Sequence, residues 1–124
     1  MMRFFLLFGA VAAGLAVGAG AFGAHALEGR VPAGRLEVFE TAVRYQMYHA
    51  LALLFVSWAG RTLEGGTLLA GAGGCFAVGI VIFSGSLYLL VLTDTGWLGA
   101  VTPVGGVAFL AGWGLLVAAL AQGV

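Results

Sequence analysis

Charge is what this chain lacks most. Only 8% of its 124 residues are Asp, Glu, Lys or Arg, and lysine is absent. Soluble domains carry about 25% charged residues, so a surface that faces water on all sides is excluded. With a net charge of zero, there is no basic patch for nucleic acid and no polybasic lipid switch. Proline occurs only twice, and Cys75 is the single cysteine. A lone thiol in an apolar run cannot form an internal disulfide and has no metal-ligand spacing around it, so it is read as a packing residue. G-x-S-x-G, a phosphate loop, G-x-G-x-x-G in a strand–helix context and any mid-span carboxylate are also missing. The chain is not expected to be an enzyme.

What is there is hydrocarbon. The sequence is 62% hydrophobic with a mean hydropathy of +1.11, and 22 residues are glycine. Helices of this composition are poor in water but suited to lipid, where small residues let backbones approach closely. Long uncharged runs predict an all-α fold: a four-helix transmembrane bundle in a single membrane domain, residues 1–124. The spans are placed at about 4–25, 42–60, 68–92 and 102–121, each long enough for a hydrocarbon core of about 30 Å. An interfacial segment, 26–44, holds a short amphipathic helix between helices 1 and 2, and Gly29, Pro32 and Gly34 break the chain before it. The first run also has a rival reading as a signal peptide, with Ala24-His25-Ala26 as its cleavage site. It exceeds the usual apolar length of about 7–15 residues, so retention is expected. Small residues at four-residue spacing, including Gly14 and Gly18, and Gly105 with Gly106 in the last span, mark expected helix-packing faces.

The second span is expected to carry Glu40 and Arg44 in the headgroup region as a favourable i,i+4 pair. Trp58 and Trp97 are expected interfacial anchors. Arginines divide as Arg3 and Arg61 against Arg30, Arg35 and Arg44, so the positive-inside rule does not orient the bundle. The amino group beside Arg3 favours termini on the inside.

Four spans bring the polar residues toward one face. His25 ends the first helix, His49 opens the second, Asp94 ends the third and Thr102 opens the fourth. With Arg44, Tyr45, Ser84, Ser86 and Tyr88 they form the candidate polar cluster, because polar groups at membrane depth mark functional or interhelical contacts. Two histidines without further ligands at metal spacing do not define a metal site, and no metal or cofactor is assigned.

The motifs GAFGAHAL (Gly20–Leu27), Tyr45-Gln46 with His49-Ala50, FSGSLYLL (Phe83–Leu90) and VTPVGGVAFLAGW (Val101–Trp113) occur together. In order and spacing they closely resemble domain-of-unknown-function family 423 (DUF423, transmembrane protein 256-like). The resemblance covers essentially the whole chain. It implies a small integral protein of the bacterial inner membrane, with no established activity. Members tend to carry basic residues in loop 2, between the second and third spans, and at the C-terminus, which implies cytoplasmic termini, whereas here the tail LAQGV is uncharged.

The leading expectation is a structural or accessory membrane protein that contacts the lipid bilayer and packs with itself or with a larger membrane complex. Two alternatives stand beside it: a small-molecule, lipid or proton pathway lined by the His/Tyr/Ser cluster, and a haem- or metal-binding electron-transfer subunit.

Overall fold

The computed structural model describes residues 1–64 and 66–123. Gly65 of the predicted second loop and Val124 of the uncharged tail lie outside the described residues. The fold is an all-α bundle of four helices. Helix α1 runs over Met2–Leu27, its last turn, Gly23–Leu27, being π-helical. Helix α2 is Ala33–Thr62, α3 is Gly66–Thr93 with a π turn at Ile80–Ser84, and α4 is Thr102–Gly123. A 3-10 turn, Gly96–Ala100, leads into α4.

The segments Met2–Leu27, Gly66–Thr93 and Gly96–Gly123 are each long and apolar enough to cross a membrane. Helix α2 is the longest at 30 residues, yet it carries Arg35, Glu37, Glu40, Arg44 and Arg61. The amphipathic helix expected between helices 1 and 2 is not a separate element. It is the first third of α2, which continues unbroken through Gly34 and Arg44. Gly34 sits in the first helical turn, where its missing side chain disturbs little. The break falls instead at Gly29, with φ of +81°, and at Pro32, which is extended and immediately precedes the helix. Proline is favoured there because no intrahelical donor is lost.

Helix α2 packs along α1 on one side and α3 on the other, and α3 packs along α4. The main core lies within the bundle, around Phe5, Leu53, Val56, Phe76, Phe109 and Leu116. A second cluster of Leu27, Phe39, Leu90 and Val91 closes the end formed by loop 1 (28–32, between α1 and α2) and loop 3 (94–101, between α3 and α4). Val11, Leu15, Val107, Leu110 and Val117 point outward, as expected where the surroundings are lipid tails.

Several glycines set helix spacing, Gly9 and Gly105 against neighbouring backbone. A Cβ on Gly9 would stand 2.8 Å from the Ala50 carbonyl oxygen, and one on Gly105 would overlap the Phe83 backbone. Gly106 makes only an ordinary contact with the Phe83 ring. Gly14 and Gly18 do not hold this chain's helices together: both face outward, with open space where a Cβ would be.

Asp94 ends α3 in the left-handed conformation, φ 52°. The Thr95 amide donates back to the Leu90 carbonyl at 3.2 Å, a turn that closes the helix end. The Asp94 carboxylate pairs with Arg35 Nη2 at 3.2 Å. This ties the start of α2 to the end of α3 and puts loops 1 and 3 on one face.

Candidate functional site

Polar side chains in a bilayer need partners, because no water is there to satisfy them. Helix α2 supplies most of them. Among the described residues, every side-chain hydrogen bond between helices involves α2, except the Ser86–Thr102 hydroxyl pair at 2.6 Å that joins α3 to α4. Gln46, buried in the bundle, donates from Nε2 to the Ala12 carbonyl of α1 at 2.7 Å. Its Oε1 accepts from the Tyr88 hydroxyl of α3 at 2.6 Å. One amide therefore clamps three helices. Ser84 donates to the Ala42 carbonyl at 2.7 Å, and Ser57 donates to the Met2 carbonyl at 2.8 Å. No buried side-chain nitrogen or oxygen among the described residues lacks a partner.

The fourth helix is reached through His49. Trp113 Nε1–H donates to His49 Nε2 at 3.0 Å. An indole can only donate, so Nε2 must be the unprotonated nitrogen. Nδ1 then carries the proton and donates to the Tyr45 carbonyl one turn back, at 2.7 Å. His49 is thus a neutral imidazole in a defined tautomer, with both nitrogens engaged. Its ring stacks on Phe109 with centroids 3.5 Å apart and planes 7° from parallel. Phe76 and Trp113 approach it edge-on or tilted.

Around this aromatic group the α2–α4 side of the bundle opens as a groove of about 640 Å³, lined by Tyr45, Tyr48, Phe83, Val107, Leu110 and Trp113 among others. Its walls are almost wholly apolar. Gaps this size fall in the range of ligand clefts, and this one opens sideways, toward the membrane.

The polar residues singled out in the sequence do not form one cluster. Tyr45 and His49 belong to the groove. Tyr88 and Ser84 serve the α1–α2–α3 joint, and Ser86 serves the α3–α4 joint. Asp94 is 85% exposed in its ion pair with Arg35. His25 is exposed at the end of α1, apart from the groups that surround His49. Arg44 is exposed and meets the Thr41 hydroxyl at 3.4 Å rather than Glu40.

His49 also does not open its helix. It lies sixteen residues beyond Ala33, about 24 Å along the axis. Its partner Trp113 is eleven residues into the 22 of α4, about 16 Å down and near mid-depth. Because α2 starts earlier than predicted, its first turns pack against the ends of α1 and α3, and His49 falls deep in the span.

Gln46, Phe109 and Trp113 were not among the predicted site residues. Gln46 carried a readable signal, as an amide one turn from His49 in an otherwise apolar run. The aromatic partners lie in the motif VTPVGGVAFLAGW, but nothing in it marks them as partners of His49, since aromatic residues in a membrane helix are ordinary. No group of three or more His, Cys, Asp or Glu among the described residues is placed to hold a metal ion.

Comparison with known proteins gives a consistent picture. A family model described as "Protein of unknown function (DUF423)" matches residues 19–106. UPF0382 membrane protein YwdK of Bacillus subtilis is 50% identical over 118 residues, covering 95% of this chain and 96% of its own length. UPF0382 membrane proteins of Staphylococcus aureus and Staphylococcus haemolyticus are 48% and 45% identical. The alignments cover 95% of this chain and 95% of the first relative, and 94% and 93% for the second. No solved structure matches the chain.

Proposed function

We propose a structural, non-catalytic role, proceeding from the fact that the chain belongs to the DUF423 family and that its relatives are named membrane proteins. In this reading it is an accessory subunit that packs with itself or with a larger membrane complex. The observation that carries it is the complete internal use of the buried polar groups. The buried Gln46, His49, Ser57, Ser84 and Ser86, and the half-buried Tyr88, each bond a neighbouring helix. A general base needs a free lone pair and a nucleophile needs an activating partner. His49, the strongest candidate for the former, has neither nitrogen free.

The partner surface in this proposal is the outer face of α1. Ala10, Gly14 and Gly18 are exposed there at four-residue spacing, and a Cβ on either glycine would stand in open space. Small residues facing outward permit close approach of a further helix. Purification from native membrane in mild detergent, with identification of everything that accompanies the protein, tests this. A stoichiometric partner or a defined homo-oligomer is the expected result, and a partner-free monomer overturns it.

The orientation we propose places both termini in the cytoplasm, supported by Arg3 at the start of α1. A cysteine-reactive, membrane-impermeant reagent applied to intact cells should leave a Gln122→Cys variant unlabelled. Labelling without lysis would reverse the assignment.

A further inference from the structure

The groove between α2 and α4 has a chemical gradient along its length. At the deep end, the His49 and Trp113 nitrogens are consumed by each other and by the Tyr45 carbonyl, leaving only hydrocarbon and ring faces to an occupant. Toward the loop 1 face, Tyr45 and Tyr48 line the groove at 39% and 53% exposure. Neither hydroxyl has a hydrogen-bond partner among the described residues. One turn further out, Arg44 is exposed with only the Thr41 hydroxyl near it. Another turn out is Glu40, also exposed and not in an ion pair.

Tyr48, Arg44 and Glu40 follow one another at four-residue spacing on one side of α2, about 6 Å apart along its axis. From mid-membrane outward along α2 the order is hydrocarbon, hydroxyl, cation, anion, with Arg44 and Glu40 standing beyond the residues that line the groove itself. The depth agrees with this order. Counting back from the His49–Trp113 bond, Pro103 at the start of α4 is level with about residue 39 of α2. The Arg44 side chain, which leans toward the N-terminus of its helix, therefore reaches the level where α4 begins and headgroups lie.

We propose that this groove is a binding site for a phospholipid with a zwitterionic, ammonium-bearing head, of the phosphoethanolamine class. One acyl chain lies between α2 and α4 against Phe83, Val107, Leu110 and Trp113. The phosphate meets the Arg44 guanidinium and the tyrosine hydroxyls, and the ammonium meets Glu40. The carboxylate decides the class. A head with net negative charge gains from Arg44 but is repelled by Glu40 one turn beyond, whereas a phosphate followed by an ammonium satisfies both in the order in which they occur.

The test is native mass spectrometry of the full-length protein, titrated with phosphatidylethanolamine or phosphatidylglycerol of matched acyl chains. Wild type should retain one phosphatidylethanolamine in preference to phosphatidylglycerol. Arg44→Gln should weaken that retention about fivefold, the scale of one exposed charge-assisted contact. Glu40→Gln should shift preference toward phosphatidylglycerol, and Leu110→Trp should displace the chain by filling the groove. Arg44 and Glu40 are exposed, so both variants should fold, and unchanged helicity by circular dichroism verifies it. Equal or stronger retention of phosphatidylglycerol by wild type overturns the proposal. So does wild-type retention in folded Arg44→Gln, or a groove that purifies filled by a protein segment.

Discussion

Replacing Gln46 by methionine removes the amide that clamps three helices while keeping its length and much of its volume. Two hydrogen bonds disappear, to the Ala12 carbonyl at 2.7 Å and from the Tyr88 hydroxyl at 2.6 Å. Interhelical hydrogen bonds in membranes average about 0.6 kcal/mol and reach about 1.7 kcal/mol. Loss of both should therefore cost about 1–2.5 kcal/mol, including a smaller term for leaving the Tyr88 hydroxyl without its acceptor. The Ala12 carbonyl loses little, because α1 continues past it and its helical bond remains. Tyr88→Phe should cost about 0.6–1.7 kcal/mol, since only one of the bonds is lost. The decisive quantity is the coupling. In a double-mutant cycle measured by reversible unfolding in mixed detergent micelles, the two changes should be less than additive by at least about 0.5 kcal/mol. Single effects that simply add would show that the Gln46–Tyr88 bond does not contribute to stability, and the view of α2 as the polar hub would fail.

Gly105→Ala should destabilise the bundle by about 1–3 kcal/mol, the usual range for overpacking, because its Cβ would overlap the Phe83 backbone, which cannot rotate away. Thermal unfolding in detergent reads this directly, and an unchanged midpoint would contradict the close approach of α3 and α4. Gly14→Leu makes the opposite prediction: with nothing within 4 Å of the new Cβ, the isolated chain should keep its stability. If α1 is the partner surface, this variant should instead lose its partner or its homo-oligomer in the native-membrane purification, and an undisturbed assembly would move the partner to another face.

Much of the architecture was legible in the sequence, for a local reason. A backbone in lipid must satisfy its hydrogen bonds within the segment, so an uncharged run of sufficient length has little alternative to a helix. The runs beginning near Phe4, Leu68 and Pro103 became α1, α3 and α4 on that ground. The amphipathic stretch from Arg35 was correctly helical, yet its continuity with the next span was misjudged. Gly34 and the charges from Arg35 to Arg44 looked like an interface element, whereas a helix carries both through when its apolar side packs, as Leu36 and Phe39 do here, against the ends of α1 and α3.

The site was legible in kind but not in arrangement. Polar residues at membrane depth could be named from the chain, and Tyr45, His49, Ser84, Ser86 and Tyr88 do make the contacts that organise it. Their distribution over separate joints could not be. These helices are apolar nearly all round, so no stripe marks which face turns inward, and a polar residue's direction is undetermined until a neighbour is fixed.

The sequence by itself determined that this protein lives in a membrane, that it is helical, and that its long apolar runs carry no carboxylate. Those properties follow from composition and from bonds made within four residues of each other. Tertiary structure alone decided that His49 meets Trp113, that Gln46 joins Ala12 to Tyr88, that Arg35 pairs with Asp94, and that Gly105 packs while Gly14 faces outward. Each of these depends on how helices distant in sequence approach one another, and that is set by the fit of side chains across the bundle rather than by any local preference.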